Sequence, residues 1–217
     1  MRVVIAGGHG KIALRLAALL AADGHTPVGL IRNPDHAADL REAGAEPVLL
    51  DLEEAGVDAV REVLSGADAA VFAAGAGPGS GTARKDTVDR AAAVLLAHAA
   101  EQAGVRRFVQ ISSMGAGAPV DEEQVGVVFA AYLRAKTAAE EDLRGRDLDW
   151  TILRPGRLTD EPGTGRVRLA EVVSRADVPR DDVAAVVRAM LSDTGTIGAT
   201  LGLISGDTPV DEAVARV

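Results

Sequence analysis

The chain opens on an apolar run, RVVIAG, that breaks into the glycine turn GGHG and continues as KIALRLAALLAA, with apolar residues at helical spacing. A strand that turns into a helix across so few residues is the first half of a βαβ unit, and it commits the chain to a parallel sheet. The alternation then persists. PVGLIR, EPVLLD, AAVFAAG, VRRFVQISS, LDWTILRPG and ATLGLISG read as further strands. Most are continuous apolar runs, as expected of strands covered on both faces. Between them the spacing predicts helices over 11–22, 35–43, 54–64, 84–103, 129–143 and 181–191, with a closing helical turn at 209–215 and extended structure in GRVRLAEVV. The loop GAGPGSG is too rich in glycine for regular structure. With no repeat or linker in its 217 residues, the chain reads as one α/β domain.

Composition narrows what such a domain does. The net charge of −9 argues against a nucleic-acid partner or an anionic membrane surface, both of which need a basic face. There is no cysteine, which excludes disulfides, thiol catalysis and cysteine metal sites. His9, His25, His36 and His98 are scattered without metal-ligand spacing, so no metal site is expected. No apolar run is long enough to span a bilayer, and the chain starts at once on a strand rather than on a leader-like segment. These features predict a cytoplasmic protein acting on a small molecule.

The opening turn carries the clearest chemistry. Gly8, Gly10 and Ala13 fit G-x-G-x-x-G/A, while Gly7, Gly10 and Ala13 fit G-x-x-G-x-x-A equally well. Either way, glycines let the backbone approach a pyrophosphate, which rests on the amides and positive dipole of the helix start. Gly7, Gly8, His9, Gly10, Lys11 and Ile12 are therefore candidate cofactor contacts. His9 reads equally as a phosphate donor or a solvated loop side chain. An NAD-selective site places an acid at the end of the second strand, but LIRNP offers Arg32 and Asn33 instead. A guanidinium suits a 2′-phosphate, which predicts NADP(H) in preference to NAD(H). Asp51 and Leu52 follow the third strand and either bracket an adenine or, for Asp51, cap the next helix. The only tyrosine, Tyr132, lies four residues before Lys136 in AYLRAKTAAE, so the two project from one helix face. A lysine near a phenol favours the phenolate and suits proton transfer; taken alone, the pair also fits an ordinary packed and solvated helix. Trp150 reads as a packing anchor, DEEQ at 121–124 as a solvated loop or a mobile edge of a substrate site, and RDD at 180–182 as a helix start.

Taken in order, AGGHGKIA, LIRNP, LDLEE, VFAAGAG, VDRAAAVLLAHAAEQAGVRRFVQISSMGA, YLRAK and WTILRPGRLTDEPGTG resemble an atypical short-chain dehydrogenase/reductase. The likeness is to small NAD(P)-binding proteins related to NmrA-like regulators and to flavin/biliverdin-type reductases, and it covers nearly the whole chain. It implies a single-domain Rossmann fold, a doubly wound parallel sheet with helices on both faces. Residues 157–217 would then form a small carboxyl-terminal extension on the substrate side. The family's active-site Tyr and Lys fall on Tyr132 and Lys136, and its upstream serine on Ser112 or Ser113, of which Ser113 is chosen. Where many relatives carry Asn on the long helix, this chain has Asp89, which sets aside a proton relay of the kind the Asn enzymes use. Ala73, Ala74 and Gly75 close the fourth strand beside the cofactor, and Pro155 and Gly156 of RPG resemble the loop along the nicotinamide.

The resemblance implies hydride exchange between a nicotinamide and a small carbonyl, quinone or flavin-like substrate. Tyr132 would move the proton, Lys136 would favour its phenolate and hold the ribose, and Ser113 would polarise the substrate oxygen. A non-catalytic redox sensor is the second reading. A sugar-nucleotide epimerase or dehydratase is the third, weakened by the short segment after RPG. The long helices suit either a monomer or a homodimer.

Overall fold

A computed structural model describes residues 1–77 and 79–217 of the protein. In chain order the elements are β1 (Arg2–Ala6), α1 (Lys11–Ala22), β2 (Thr26–Ile31), a 3₁₀ turn (Pro34–His36), α2 (Ala37–Glu42), β3 (Glu46–Leu49), α3 (Val57–Leu64) and β4 (Ala69–Phe72). They continue through α4 (Thr82–Arg84), a π-helical stretch (Lys85–Ala91), α5 (Ala92–Ala103), β5 (Arg107–Ile111), α6 (Glu122–Val125), α7 (Val127–Arg144) and β6 (Asp149–Pro155). The last part holds β7 (Arg157–Thr159), β8 (Arg166–Ala170), β9 (Asp177–Pro179), α8 (Arg180–Ser192), β10 (Thr200–Ser205), β11 (Thr208–Pro209) and α9 (Val210–Ala215).

The main sheet has the order β11-β8-β10-β6-β5-β4-β1-β2-β3. Its seven strands from β3 through β10 are parallel, while β8 and β11 close one edge antiparallel. A separate two-stranded parallel sheet joins β7 to β9. Alternation along each strand builds a layer on each face. Val3 and Ile5 of β1 pack toward α1 and α8, while Val4 and Ala6 pack toward α3, α5 and α7. This is the doubly wound Rossmann architecture, and residues 157–217 contribute β8, β10 and β11 to the same sheet.

Several elements differ from their expected form. The helix expected over 84–103 is interrupted, because Lys85–Ala91 winds as a wider π-helical stretch before the α-helix resumes. The helix expected from residue 54 starts at Val57, since the Asp51 carboxylate accepts the Glu53 amide at 3.0 Å and makes a separate turn. Residues 34–36 form a 3₁₀ turn capped by the Asn33 side chain on the Asp35 amide at 3.0 Å. The segment Glu122–Val125, expected as loop, is a short helix whose cap Asp121 accepts the Glu123 and Gln124 amides. GAGPGSG includes Pro78, which lies outside the described residues.

The strand order reverses on either side of β1, which pairs with β2 on one flank and β4 on the other. Such a switch point opens a crevice at the carboxyl ends of the strands. Two glycines set how tightly that crevice closes. Gly7 has φ +76°, and a Cβ there would stand 2.6 Å from Ala74 Cα; a Cβ on Gly8 would stand 2.7 Å from Gly29 Cα. Gly8 also donates its amide to Leu30 O at 2.9 Å. Gly8→Ala is therefore expected to push β1 and β2 apart at a cost of about 1–3 kcal/mol. In a thermal melt this lowers Tm by roughly 3–10 °C.

Candidate active site

The site grows from the start of α1. Gly10 caps the helix with no side-chain hydrogen bond, and its own amide is spent on Gly7 O at 2.8 Å. The first-turn amides of α1, starting at Lys11 and Ile12, therefore face the crevice as an uncapped positive terminus. The Gly8 amide is not among them. Gly8 packs closely against β2, with its amide spent on Leu30 O.

Gly7, His9, Gly10, Arg32, Asp51, Leu52, Ala73, Ala74 and Gly75 line one cleft of about 340 Å³. The sequence missed the polar cleft residues His36, Glu53 and Arg84, along with the apolar Leu30, Ile31, Leu50, Val88 and Ala92. Glu53 is the hub of the outer end. Its carboxylate accepts Arg32 Nη1 at 3.0 Å, Arg84 Nη2 at 2.5 Å and Thr87 Oγ1 at 2.7 Å. The hydrogen bond from Arg84, then that from Thr87, holds its carboxyl below the usual range despite some burial. Arg32 is thus not a free surface arginine: its guanidinium is paired with a carboxylate from beyond β3. His9 stacks on His36 with ring centroids 3.6 Å apart and reaches Asp39 through Nε2 at 2.6 Å.

Other expected contacts lie elsewhere. Asn33 is occupied as the cap described above, and Asp51 serves its turn while also lining the cleft. The Lys11 ammonium reaches Asp160 at 2.6 Å, and Ile12 packs against the core. Pro155 accepts the Met114 amide at 3.0 Å, and Gly156 donates to Leu203 O at 2.9 Å, so RPG ties the loop after β5 to β10.

Beyond Gly75, α7 and the π-helical stretch bring together a second group. Lys136 is 3% exposed and pairs with Asp89, which is fully buried, at 3.3 Å. Its Nζ also reaches Ile111 O at 3.3 Å and Ala74 O at 3.5 Å, and stands 5.8 Å from the centre of the Tyr132 ring. Asp89 spends its other oxygen on the Ala76 amide at 3.3 Å. The Asp at the family's Asn position is therefore the counter-ion of the lysine. A second ammonium was not foreseen: Lys85 Nζ sits over the Tyr132 ring, 5.3 Å from its centroid.

The two serines after β5 part company. Ser112 is buried and donates to Glu140 Oε1 at 2.6 Å. Ser113 is half-buried and makes one long hydrogen bond, to Met114 O at 3.3 Å. Trp150 packs, partly buried, on the inner layer. Among the described residues no group of three His, Cys, Asp or Glu could hold a metal ion, and no helix is long and apolar enough to cross a membrane.

Beneath the serines lies a charged hub. Glu140 is fully buried and accepts Arg154 through both its oxygens, at 2.9 and 2.5 Å, and Arg144 at 2.9 Å. Burial pushes this carboxyl up, but the hydrogen bonds from Arg154 and Ser112 and the Arg154 charge outweigh it, leaving it below its ordinary value. A carboxyl depressed by folding contributes stability at neutral pH that is lost as pH falls through its folded value. Glu140→Gln is expected to cost about 3 kcal/mol at neutral pH. Urea unfolding measured down through the acid range should show the gap between wild type and variant narrowing below the usual carboxylate range.

The chain as a whole resembles known proteins. The chain is 35% identical over 218 residues to YhfK of Bacillus subtilis, called an uncharacterized sugar epimerase, with all of both chains covered. A solved structure from Bacillus halodurans, provisionally named an NAD-dependent epimerase/dehydratase, shares 37% identity over the whole of both chains, with a TM-score of 0.91. ChuY of Escherichia coli O157:H7, an anaerobillin reductase, shares 26% identity and a TM-score of 0.81 over 95% of this chain and 98% of its own. The model of the NAD(P)H-binding family matches residues 7–194, and the chain belongs to that family.

Proposed function

We propose that the protein is an NADP(H)-dependent oxidoreductase acting on a small carbonyl, quinone or flavin-like compound. The observation that carries this reading is the cluster of Tyr132, Lys136 and Asp89, which adjoins the cleft where Lys136 reaches Ala74 O and Asp89 the Ala76 amide. The residues present fit a dinucleotide. The uncapped start of α1 suits a diphosphate, and Gly7, where a Cβ would collide with Ala74, lets the turn lie tight against the end of β4. At the outer end, Arg32 and Arg84 are held side by side on Glu53 and offer two guanidiniums to a 2′-phosphate.

When bound, the nicotinamide supplies or takes up a hydride. The chain's own residues do the rest. Tyr132 passes a proton to or from the substrate oxygen, and Ser113 hydrogen-bonds that oxygen with a hydroxyl not committed to the interior. Asp89 keeps Lys136 in place beside the tyrosine, where its ammonium stands 5.8 Å from the ring centre and would hold the ribose of a bound coenzyme. The relatives' names lend support of unequal kind. ChuY is called a reductase, whereas the Bacillus proteins carry epimerase names over chains of the same length as this one. The short segment after RPG therefore does not by itself separate the two activities, and the reductase reading rests on the cluster.

Oxidation of NADPH and NADH against quinones, flavins, aldehydes and ketones tests the proposal. Tyr132→Phe is expected to lower kcat by about 10²–10⁴-fold while NADP⁺ affinity, measured by calorimetry, stays within a small factor. Tight NADP⁺ binding with no turnover in wild type would instead identify a redox sensor. Arg32→Ala is expected to weaken NADP⁺ by about tenfold or more and to leave NAD⁺ nearly unchanged; equal effects on both would overturn the preference.

A further inference from the structure

Lys85 is the one lysine beside Tyr132 that the proposed chemistry does not use. It is only 8% exposed, and its Nζ donates to Gly77 O at 2.9 Å. Asp89, the buried carboxylate one turn further along, is already committed to Lys136, and among the described residues no carboxylate pairs with Lys85. A buried ammonium without a counter-ion is costly to keep. Around Tyr132 there are thus two ammoniums and one buried carboxylate, which leaves one positive charge over.

That charge is not directed at the coenzyme's phosphates. Arg84 lines the nucleotide cleft, but Lys85, the next residue, does not, and turns instead onto the ring of Tyr132. The same end of α7 carries an apolar rim. Phe129 is 47% exposed with its ring 5.7 Å from that of Tyr132, and Val127 and Val128 beside it are exposed. Phe129 and Tyr132 lie three residues apart and share a helix face.

We propose that Lys85 is a substrate-anchoring residue, and that the substrate is a flat, largely apolar molecule bearing a carboxylate, its body resting on Phe129 and Tyr132 and its carboxylate on the Lys85 ammonium. This rests on the reading of the site as an oxidoreductase, whose substrate it specifies. Two of the three Lys85 N–H donors are uncommitted to Gly77, and a charge-assisted hydrogen bond in a partly dehydrated site is strong.

The test uses binding alone. 2-Naphthoate and its neutral counterpart 2-naphthamide are titrated calorimetrically into wild type, Lys85→Met and Lys85→Arg, with and without saturating NADP⁺, after thermal melts confirm that each variant is folded. Wild type is expected to prefer naphthoate by about tenfold or more. The preference should vanish in Lys85→Met and survive in Lys85→Arg, while NADP⁺ affinity is the same in all three. Equal affinity for the two probes, failure of naphthoate to bind at millimolar concentration, or a preference unchanged in Lys85→Met would each overturn the proposal. So would a Lys85→Met variant whose defect lies in NADP⁺ binding. Failure of wild type to bind NADP⁺ would sink the oxidoreductase reading separately, since the naphthoate preference is read without the coenzyme as well.

Discussion

Backbone meets backbone at the carboxyl ends of β1, β2 and β4, and the rest of the site depends on that contact. Gly7 lies against Ala74 and Gly8 against Gly29, at separations that leave no room for a side chain. Because the strands approach so closely there, α1 begins directly above the crevice with its first-turn amides uncovered. Because Ala74 is pressed against the turn, the chain leaving β4 passes beside it, and Ala74 O lies within reach of Lys136. One steric fact thus sets both the helix terminus and the lysine cluster beside Ala74.

Charge around the site is handled in three ways. At the outer end, Glu53 gathers Arg32, Arg84 and Thr87 at a half-open surface, where the arrangement orients the guanidiniums more than it stabilises the fold. Deeper in, Asp89 and Lys136 neutralise each other away from water, which keeps the lysine fixed at the cost of desolvating both. Below the serines, Glu140 satisfies both its oxygens with Arg154, Arg144 and Ser112 and so joins α7 to the ends of β5 and β6. Lys85 departs from this pattern. It is the position at which the site, among the described residues, is electrostatically incomplete.

The strands and most helices were legible because each is announced by a local pattern: apolar runs for β1, β4 and β5, and a helical period in α1 and α5. Tyr132 and Lys136 were legible for the same reason, since four residues along a helix is one turn. Glu53 was not. It sits two residues beyond Asp51, and only the folding of α4 against the loop after β3 brings Arg84 to it across 31 residues of chain. Lys85 was missed because nothing in KDTVDRA announces a π-helical turn, and the winding there decides which side chains face Tyr132. The pair Ser112 and Ser113 was legible as a pair; which one is buried against Glu140 is visible only with α7 in place.

The sequence by itself determined the alternation of strand and helix, the glycine turn at the first switch from one to the other, and the spacing of the tyrosine and lysine, because these follow from short-range sterics and periodicity. Tertiary structure alone decided the counter-ions: Glu53 for Arg32, Asp89 for Lys136 and, among the described residues, none for Lys85. Pairing of charges depends on which elements the sheet order brings side by side, and a distance across the fold leaves no mark on the local spacing of residues.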